Sequence, residues 1–223
     1  MSKSGLFKSS IGRKFAMALS ALFLMIFLLQ HLIINLTAVL SPDTFNELSH
    51  FMGTNPLVQF IAQPILVFAV IFHFVMGMYL ERKNRASRPI AYNKYNGSAS
   101  SSWMSRNMAI SGLVILAFLV LHFIDFWLPE MNHKYIQMAA EDPNRYYGEL
   151  LHKFENPARV VAYVVAFALL ALHLLHGFGS AFQSMGQNNK YVDGLKKFGV
   201  FYSIAIPLGF ILIAISLYVT TLN

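Results

Sequence analysis

The sequence has no cysteine, and only 12% of its 223 residues are charged. Without cysteine the chain cannot form disulfides, cysteine-ligated iron–sulfur clusters, thiolate-ligated haem or covalently attached c-type haem. Soluble domains carry about 25% charged residues, so the low charge content argues against a soluble fold. The sequence also shows no nucleophile triad or phosphate-binding loop that would support a soluble enzyme.

Apolar residues make up 56% of the sequence, and the mean hydropathy is +0.52. They form five segments, each long enough for a helix to cross a hydrocarbon core of about 30 Å. We therefore predict an all-α fold, an integral membrane bundle of five transmembrane helices, with residues 1–223 as a single membrane domain. The predicted spans are residues 15–40, 57–80, 108–128, 158–180 and 200–221.

Helix-breaking residues mark the connections between these segments. They are Pro42 after the first segment, Asn55-Pro56 before the second, a Gly/Ser loop at 97–102, Pro129 closing the third, and Asn156-Pro157 opening the fourth. The polar connection 129–157 has room for a short amphipathic helix. The basic residues 1–14 resemble the start of a signal peptide, but the apolar stretch that follows is too long, so we predict an uncleaved first span.

Positive charge is concentrated on one side of the predicted bundle. Residues 1–14, 81–107 and 183–199 carry thirteen Lys and Arg residues against Glu81 and Asp193. Cytoplasmic loops carry such an excess, so we predict a cytoplasmic N-terminus and an outside C-terminus. The net charge of +7 is then a consequence of topology and does not indicate nucleic-acid binding.

Five histidines fall inside the apolar segments, where ionisable residues are costly and usually functional. They are His31, His73, His122, His173 and His176. With the predicted topology, His31 and His122 lie in the outer half of the membrane, and His73 and His173 lie in the inner half. His133 and His152 lie in the polar connection 129–157 and are predicted to be solvated.

Two imidazoles that face each other in an apolar helical core are typical of a bis-His haem site. His73 and His173 are each followed four residues later by a glycine, Gly77 and Gly177, on the same helix face. These glycines would let a flat haem approach, although ordinary small-residue helix packing explains them as well. Interhelical hydrogen bonds are the corresponding alternative for the histidines.

Several motifs resemble the dihaem cytochrome b membrane-anchor subunits of succinate:quinone oxidoreductases, the succinate dehydrogenase and fumarate reductase family. They are Phe27-Leu-Leu-Gln-His31-Leu-Ile-Ile-Asn35, Phe45-Asn-Glu-Leu-Ser-His50-Phe-Met, Gly112 ten residues before His122, and His173-x-x-x-Gly177 followed by Gly186. The resemblance covers the whole chain, through the order and spacing of motifs that are individually weak.

The resemblance implies two haem b groups, with iron bound by His31 and His122 in one and by His73 and His173 in the other. It implies a quinone, with menaquinone favoured, and flavoprotein and iron–sulfur subunits on the cytoplasmic side. The chain would then be the quinone-reactive subunit of the complex in the bacterial inner membrane, in contact with lipid, while succinate or fumarate chemistry takes place in the partner subunits. Either direction of that chemistry fits.

Polar residues near the predicted membrane surfaces are candidates for binding the quinone and the haem propionates. The quinone candidates are Asn35, Glu47 and His50. The propionate candidates are Arg13, Lys14, Ser20, Arg106 and His176. Loop capping and orientation in the membrane are the alternative roles for these residues.

Two other functions remain open. A dihaem cytochrome b of another membrane dehydrogenase, such as a hydrogenase or formate dehydrogenase anchor, would place its histidines in a different order. A proton-coupled transporter would use a histidine relay and would need carboxylates in the core, inverted repeats or broken helices. The spans contain one acidic residue, Asp125, near a helix end, so the transporter has less support.

Overall fold

A computed structural model describes residues 9–87, 106–186 and 192–223, and these residues fold into helices. We number them α1 (Ser10–Leu40), α2 (Pro42–Thr54), α3 (Val58–Ala86), α4 (Met108–Ile136), α5 (Arg145–Phe154), α6 (Pro157–Ser184) and α7 (Val192–Thr221). Lys3, Lys8, Arg88, Lys94, Lys190 and the Gly/Ser loop 97–102 lie outside the described residues.

Five of these helices, α1, α3, α4, α6 and α7, are long and apolar enough to cross a membrane. The prediction of an all-α fold with five such helices is confirmed. The orientation of the termini and the limits of the membrane domain remain predictions. The helices extend beyond the predicted spans where charged, helix-favouring residues continue the pattern, as α3 does to Ala86 and α7 does from Val192.

Side chains expected to cap helices do so. The Asn156 side-chain oxygen accepts from the backbone N–H of Ala158 at 2.9 Å and begins α6. Asn55 does the same for Leu57 at 2.9 Å, before α3. Ser41 caps α2 and ends α1 at the predicted Ser-Pro break. The Asn-Pro pairs therefore open helices as the sequence indicated.

The prediction that Pro129 closes the third apolar helix is wrong. The chain remains helical to Ile136, because a π-helical segment, Phe123–Trp127, precedes the proline. In that segment the backbone bonds span five residues, so the Leu128 N–H donates to the Phe123 carbonyl. The register shift places Pro129 in the first turn of a renewed α segment, where its missing N–H is tolerated.

Four helices form the centre of the bundle. Contacts run from α1 to α3, from α3 to α4, from α4 to α6 and from α6 back to α1. In this ring α1 lies diagonally opposite α4, and α3 lies diagonally opposite α6. Helix α7 packs outside the ring against α1 and α6, where Tyr202 donates to the Met25 carbonyl at 2.5 Å.

The two short helices cover the end of the bundle away from the N-terminus. The side-chain oxygen of buried Asn46 on α2 accepts from the backbone N–H of Tyr147 on α5 at 2.7 Å. Phe45, Leu150 and Phe154 are buried in the core cluster beneath. Helix α5 lies in the connection where the sequence left room for an amphipathic helix, whereas α2 was not predicted.

Candidate functional site

Four histidines on four different helices face one another in two pairs. His31 on α1 and His122 on α4 have ring centroids 5.8 Å apart and ring planes at 88°. His73 on α3 and His173 on α6 have ring centroids 6.5 Å apart and ring planes at 65°. Each pair joins two diagonally opposite helices. The structure therefore pairs the same histidines that the sequence placed at equal predicted depth in the membrane.

Serine hydroxyls hold both rings of the second pair, which we call the serine-bonded pair (His73 and His173). Ser20 Oγ lies 3.1 Å from His73 Nδ1, and Ser111 Oγ lies 3.0 Å from His173 Nδ1. Both serines come from neighbouring helices. Since Nδ1 is engaged in each ring, Nε2 is the nitrogen left for another ligand.

Phenylalanines surround the first pair, which we call the aromatic pair (His31 and His122). Phe27 stacks on His31 with centroids 5.4 Å apart, and Phe126 lies 5.2 Å from His122. Phe118 and Phe210 complete the lining. Buried His122 Nδ1 has no hydrogen-bond partner within residues 9–87, 106–186 and 192–223.

The spacing of both pairs suits a shared metal ion. With metal–nitrogen bonds of about 2 Å on opposite sides, two imidazole centroids lie roughly 6 Å apart. In the part of the chain that the structure describes, no group of three or more His, Cys, Asp or Glu residues could hold a metal ion. Two protein ligands suit iron that brings its other ligands with it, as haem does. The donor sets therefore fit two bis-His haems better than bare ions.

Glycines keep the helices close around the serine-bonded pair. A Cβ on Gly77 would lie 3.3 Å from Met17 Cε, and one on Gly177 would lie 3.6 Å from Met108 Cε. A Cβ on Gly112 would lie 3.7 Å from His173 Cε1, so a branched side chain there would press on the imidazole. Of these positions, Gly77 is the one where an added Cβ would be crowded, whereas at Gly112 and Gly177 it would make ordinary van der Waals contact.

The remaining histidines lie elsewhere. His176 is half-buried one turn beyond His173, and the ring that faces His73 is that of His173. His152 is exposed on α5 and lies 3.0 Å from Glu155. His133 is half-buried in α4 rather than fully solvated.

A buried carboxylate lies beside the aromatic pair. Asp125 is 2% exposed, and its Oδ2 accepts from the Tyr163 hydroxyl at 2.8 Å. Its Oδ1 lies 3.3 Å from Arg159 Nη2. The Tyr163 ring also lies 6.3 Å from His122, so the carboxylate is linked to the pair through one side chain. Such a carboxylate requires its partners, because an unpaired buried charge is costly.

The three quinone candidates occupy different surroundings. Asn35 donates to the His31 carbonyl at 2.8 Å and lies 3.5 Å from both ring nitrogens of His31. His50 Nε2 lies 4.0 Å from the Glu141 carboxylate, while its buried Nδ1 has no hydrogen-bond partner among the described residues. Glu47 is exposed on α2. His50 thus has one nitrogen toward the surface and one toward the interior.

Charged groups from α4 and α5 surround Gly53 next to His50. Lys134 Nζ donates to the Gly53 carbonyl, and Lys134 and Arg145 both pair with Glu130. Partial burial would lower the pKa of Arg145, but its carboxylate partners Glu149 and Glu130 outweigh that effect and raise the pKa. Sequence analysis did not identify this cluster as part of a site.

Tyr146 borders the same cluster. Its ring lies 6.1 Å from that of His50, and the Arg145 guanidinium lies 4.4 Å above it. Partial burial and the neighbouring Glu130 carboxylate raise the pKa of Tyr146 above its ordinary value.

The propionate candidates also differ. Arg13 is buried with its guanidinium 5.7 Å from the Tyr79 ring centroid, whereas Lys14 is exposed. Arg106 is half-buried just before α4. The hydroxyl of Ser20 contacts a histidine ring, so its position suits support of a ligand better than contact with a propionate.

Comparison with known proteins gives one relative. The chain is 26% identical over 157 residues to the succinate dehydrogenase cytochrome b558 subunit of Bacillus subtilis (strain 168), and the match covers 70% of this chain and 69% of the relative. The predicted resemblance to the cytochrome b anchors of succinate:quinone oxidoreductases is confirmed. No family model matches the chain, and no solved structure matches it.

Sequence reasoning missed Ser111 as a part of this cytochrome-like site, although a signal for it exists. Residues 17–31 and 108–122 are identical at seven of 15 positions, which are Met17/Met108, Ala18/Ala109, Ser20/Ser111, Leu22/Leu113, Phe27/Phe118, Leu28/Leu119 and His31/His122. The helices α1 and α4 are thus copies of one pattern, and the serine is part of it.

The repeat continues into the following helices. Glu47-Leu48-x-His50 on α2 corresponds to Glu149-Leu150-x-His152 on α5, and an Asn-Pro pair follows each. The His-x-x-x-Gly motifs of α3 and α6 complete the correspondence. Among the residues that the structure describes, α1–α3 and α4–α6 are therefore two matching three-helix units, and α7 follows them.

Proposed function

We propose that this chain is the cytochrome b anchor subunit of a succinate dehydrogenase or fumarate reductase in the bacterial inner membrane. It passes electrons between an iron–sulfur subunit on the cytoplasmic side and membrane quinone. The observation that carries the proposal is the meeting of four intramembrane histidines in two pairs at metal-sharing distance, 5.8 and 6.5 Å between ring centroids. The named Bacillus relative supports the choice of complex.

Two haem b groups, when bound, supply one-electron carriers at two depths in the membrane. The aromatic pair would hold one, and the serine-bonded pair would hold the other. Because two imidazoles would bind each iron, no iron position would be left open, which would suit electron transfer and not oxygen binding. The phenylalanines around the aromatic pair exclude water from it, and the serines orient the rings of the other pair.

The quinone, with menaquinone favoured by the resemblance, would bind at the end of the bundle that α2 and α5 cover. Quinone reduction needs proton donors near the carbonyl oxygens. His50 meets this need because one ring nitrogen faces the interior and the other faces Glu141. Tyr146 beside it offers a second donor, and Asn35 on α1 lies beside His31 of the aromatic pair.

Haem stoichiometry and reduced-minus-oxidised spectra test the proposal on the purified chain and on four variants, His31→Ala, His73→Ala, His122→Ala and His173→Ala. We expect two b-type haems in the wild type. The losses should group His31 with His122 and His73 with His173. The exposed His152→Ala variant is the matched control and should keep both haems. A wild-type chain without haem, or losses that ignore the pairs, would refute the proposal and favour a histidine relay.

The quinone site has a separate test in the complete complex with its partner subunits. His50→Ala should lower the rate of quinone reduction by about 100-fold, the lower range for loss of a positioned proton donor. Electron transfer to a water-soluble dye and the haem spectra should stay unchanged. His152→Ala changes the equivalent histidine of the repeat and should leave the quinone rate unaffected. If the two variants have equal effects, the proposed quinone site at His50 on α2 is wrong.

A further inference from the structure

We propose that Ser20 and Ser111 are positioning residues, which hold His73 and His173 with Nε2 free and thereby set the redox potential of the haem between them. This inference rests on the proposed function. It assigns two hydroxyls to one cofactor site and none to the other, so it predicts a difference between two haems in the same molecule.

With each serine hydroxyl as the donor to its own helix carbonyl, the ring proton is assigned to Nδ1. Ser20 Oγ donates its single proton to the Met17 carbonyl at 2.8 Å, so its oxygen accepts from His73 Nδ1–H at 3.1 Å. Ser111 donates to the Met108 carbonyl at 2.9 Å and accepts from His173 Nδ1–H at 3.0 Å. In each ring the lone pair then resides on Nε2, the nitrogen available to iron.

The same arrangement of carbonyl, serine hydroxyl and imidazole occurs twice, at equivalent positions of the repeat. Serines in helices often donate to the carbonyl three or four residues earlier, and that bond alone would carry no functional meaning. Here both serines stand eleven residues before a histidine of the aromatic pair, and both meet a histidine of the serine-bonded pair. Each bond links two helices, so it positions the imidazole relative to the bundle.

A hydrogen bond from Nδ1–H makes the imidazole a stronger donor to a metal through Nε2 and fixes the orientation of the ring. A stronger donor favours ferric over ferrous iron and lowers the haem potential. The aromatic pair differs, because His122 Nδ1 has no partner among the described residues. The Asn35 amide near His31 donates at 2.8 Å to the His31 backbone carbonyl, and its contact with the two ring nitrogens is longer, at 3.5 Å.

Redox titration of the purified dihaem chain tests the proposal, with Ser20→Ala, Ser111→Ala and the double variant. We expect the midpoint potential of the haem at the serine-bonded pair to become more positive, and more so in the double variant. Haem retention at this pair should fall by about 10- to 100-fold in affinity, the usual effect of removing such a partner. The haem at the aromatic pair should keep its potential.

Two further variants separate positioning from packing. Ser20→Thr and Ser111→Thr keep the hydroxyl and should restore the potential and the haem retention. Ser203→Ala removes a hydroxyl from a fully buried position on α7 and should leave both haems unchanged. Adding His122→Ala removes the haem at the aromatic pair, so the remaining titration curve belongs to the haem at the serine-bonded pair.

The outcomes distinguish this inference from the proposed function. A dihaem protein whose potentials and haem retention do not respond to the alanine variants would refute the serine role alone. Threonine variants that behave like alanine, or equal shifts in both haems, would also refute it. A wild-type chain without haem would refute the proposed function itself.

Discussion

The two histidine pairs have similar spacing but are supported in different ways. Serine hydroxyls from α1 and α4 hold the serine-bonded pair through hydrogen bonds to both rings. Phenylalanines line the aromatic pair, and Phe27 among them stacks on His31; Tyr163 lies between His122 and a buried ion pair. One fold thus surrounds two histidine pairs differently, with direct hydrogen bonds to both rings of one pair and mainly aromatic contacts to the rings of the other. Such differences in surroundings are a principal means of tuning a haem.

The largest expected effect comes from removing the cation beside the aromatic pair. Arg159→Ala leaves the Asp125 carboxylate buried without its ion-pair partner. We expect a loss of about 3 kcal/mol in unfolding free energy, at the lower end for buried pairs because 31% of the Arg159 side chain is exposed. Thermal unfolding in detergent measures the loss of stability. The absorbance of each haem should show that the haem at the aromatic pair is released first on heating.

The double variant Asp125→Asn with Arg159→Ala is the control for this change. It removes both charges, so it should recover much of the stability lost by Arg159→Ala. If the double variant is less stable than the single one, or if the serine-bonded haem is lost first, the ion pair does not support the aromatic pair.

An intermediate effect is expected from crowding the serine-bonded pair. Gly112→Val places a branched side chain where even a single added Cβ would lie 3.7 Å from His173 Cε1. Overpacking of this kind costs about 1–3 kcal/mol. The spectrum and retention of the serine-bonded haem should change, while those of the aromatic-pair haem should not. Gly179→Val, with no atom within 4 Å of its Cβ, is the matched control, and an equal response to it would contradict the prediction.

The smallest effect is expected from one hydroxyl. Tyr163→Phe removes the hydrogen bond to Asp125 but keeps the ring beside His122, at a cost of about 1.5 kcal/mol, the lower end for a bond to a charged group. The absorbance of the aromatic-pair haem should shift slightly. Tyr202→Phe removes a hydroxyl bonded to the Met25 carbonyl and should cost a similar amount without changing either haem spectrum. If both variants change the haem spectra equally, the Tyr163 effect reflects a general loss of stability and not a contact with the aromatic pair.

Much of this architecture follows from local patterns in the sequence. The five apolar segments and their capping residues predict the long helices, and counting residues from the predicted membrane surfaces groups the four histidines correctly into spatial pairs. These features depend on the length of the apolar segments, on the helix-breaking residues between them and on the distribution of Lys and Arg. The continuation of α4 past Pro129 could not be predicted from the sequence, because a shift to π-helical bonding is set by tertiary packing more than by any single residue.

Contacts between distant helices were harder to predict. Ser20 was predicted to lie near a propionate, and Ser111 was overlooked, because a serine in an apolar helix does not reveal which helix lies opposite. Asp125 was recognised as the acidic residue of the spans, but its partners are 34 and 38 residues away along the chain. The internal repeat would have identified the serines, since matched positions in two copies suggest matched roles.

The diagonal placement of the histidines has a consequence for biogenesis. Each pair takes one histidine from the first repeat unit and one from the second, so the N-terminal unit alone contains half of each site. During synthesis the aromatic pair is complete once α4 has entered the bilayer, whereas the serine-bonded pair waits for α6. We therefore expect cofactor loading to follow chain completion in that order, and any prematurely terminated chain that ends before α4 to hold no haem at all.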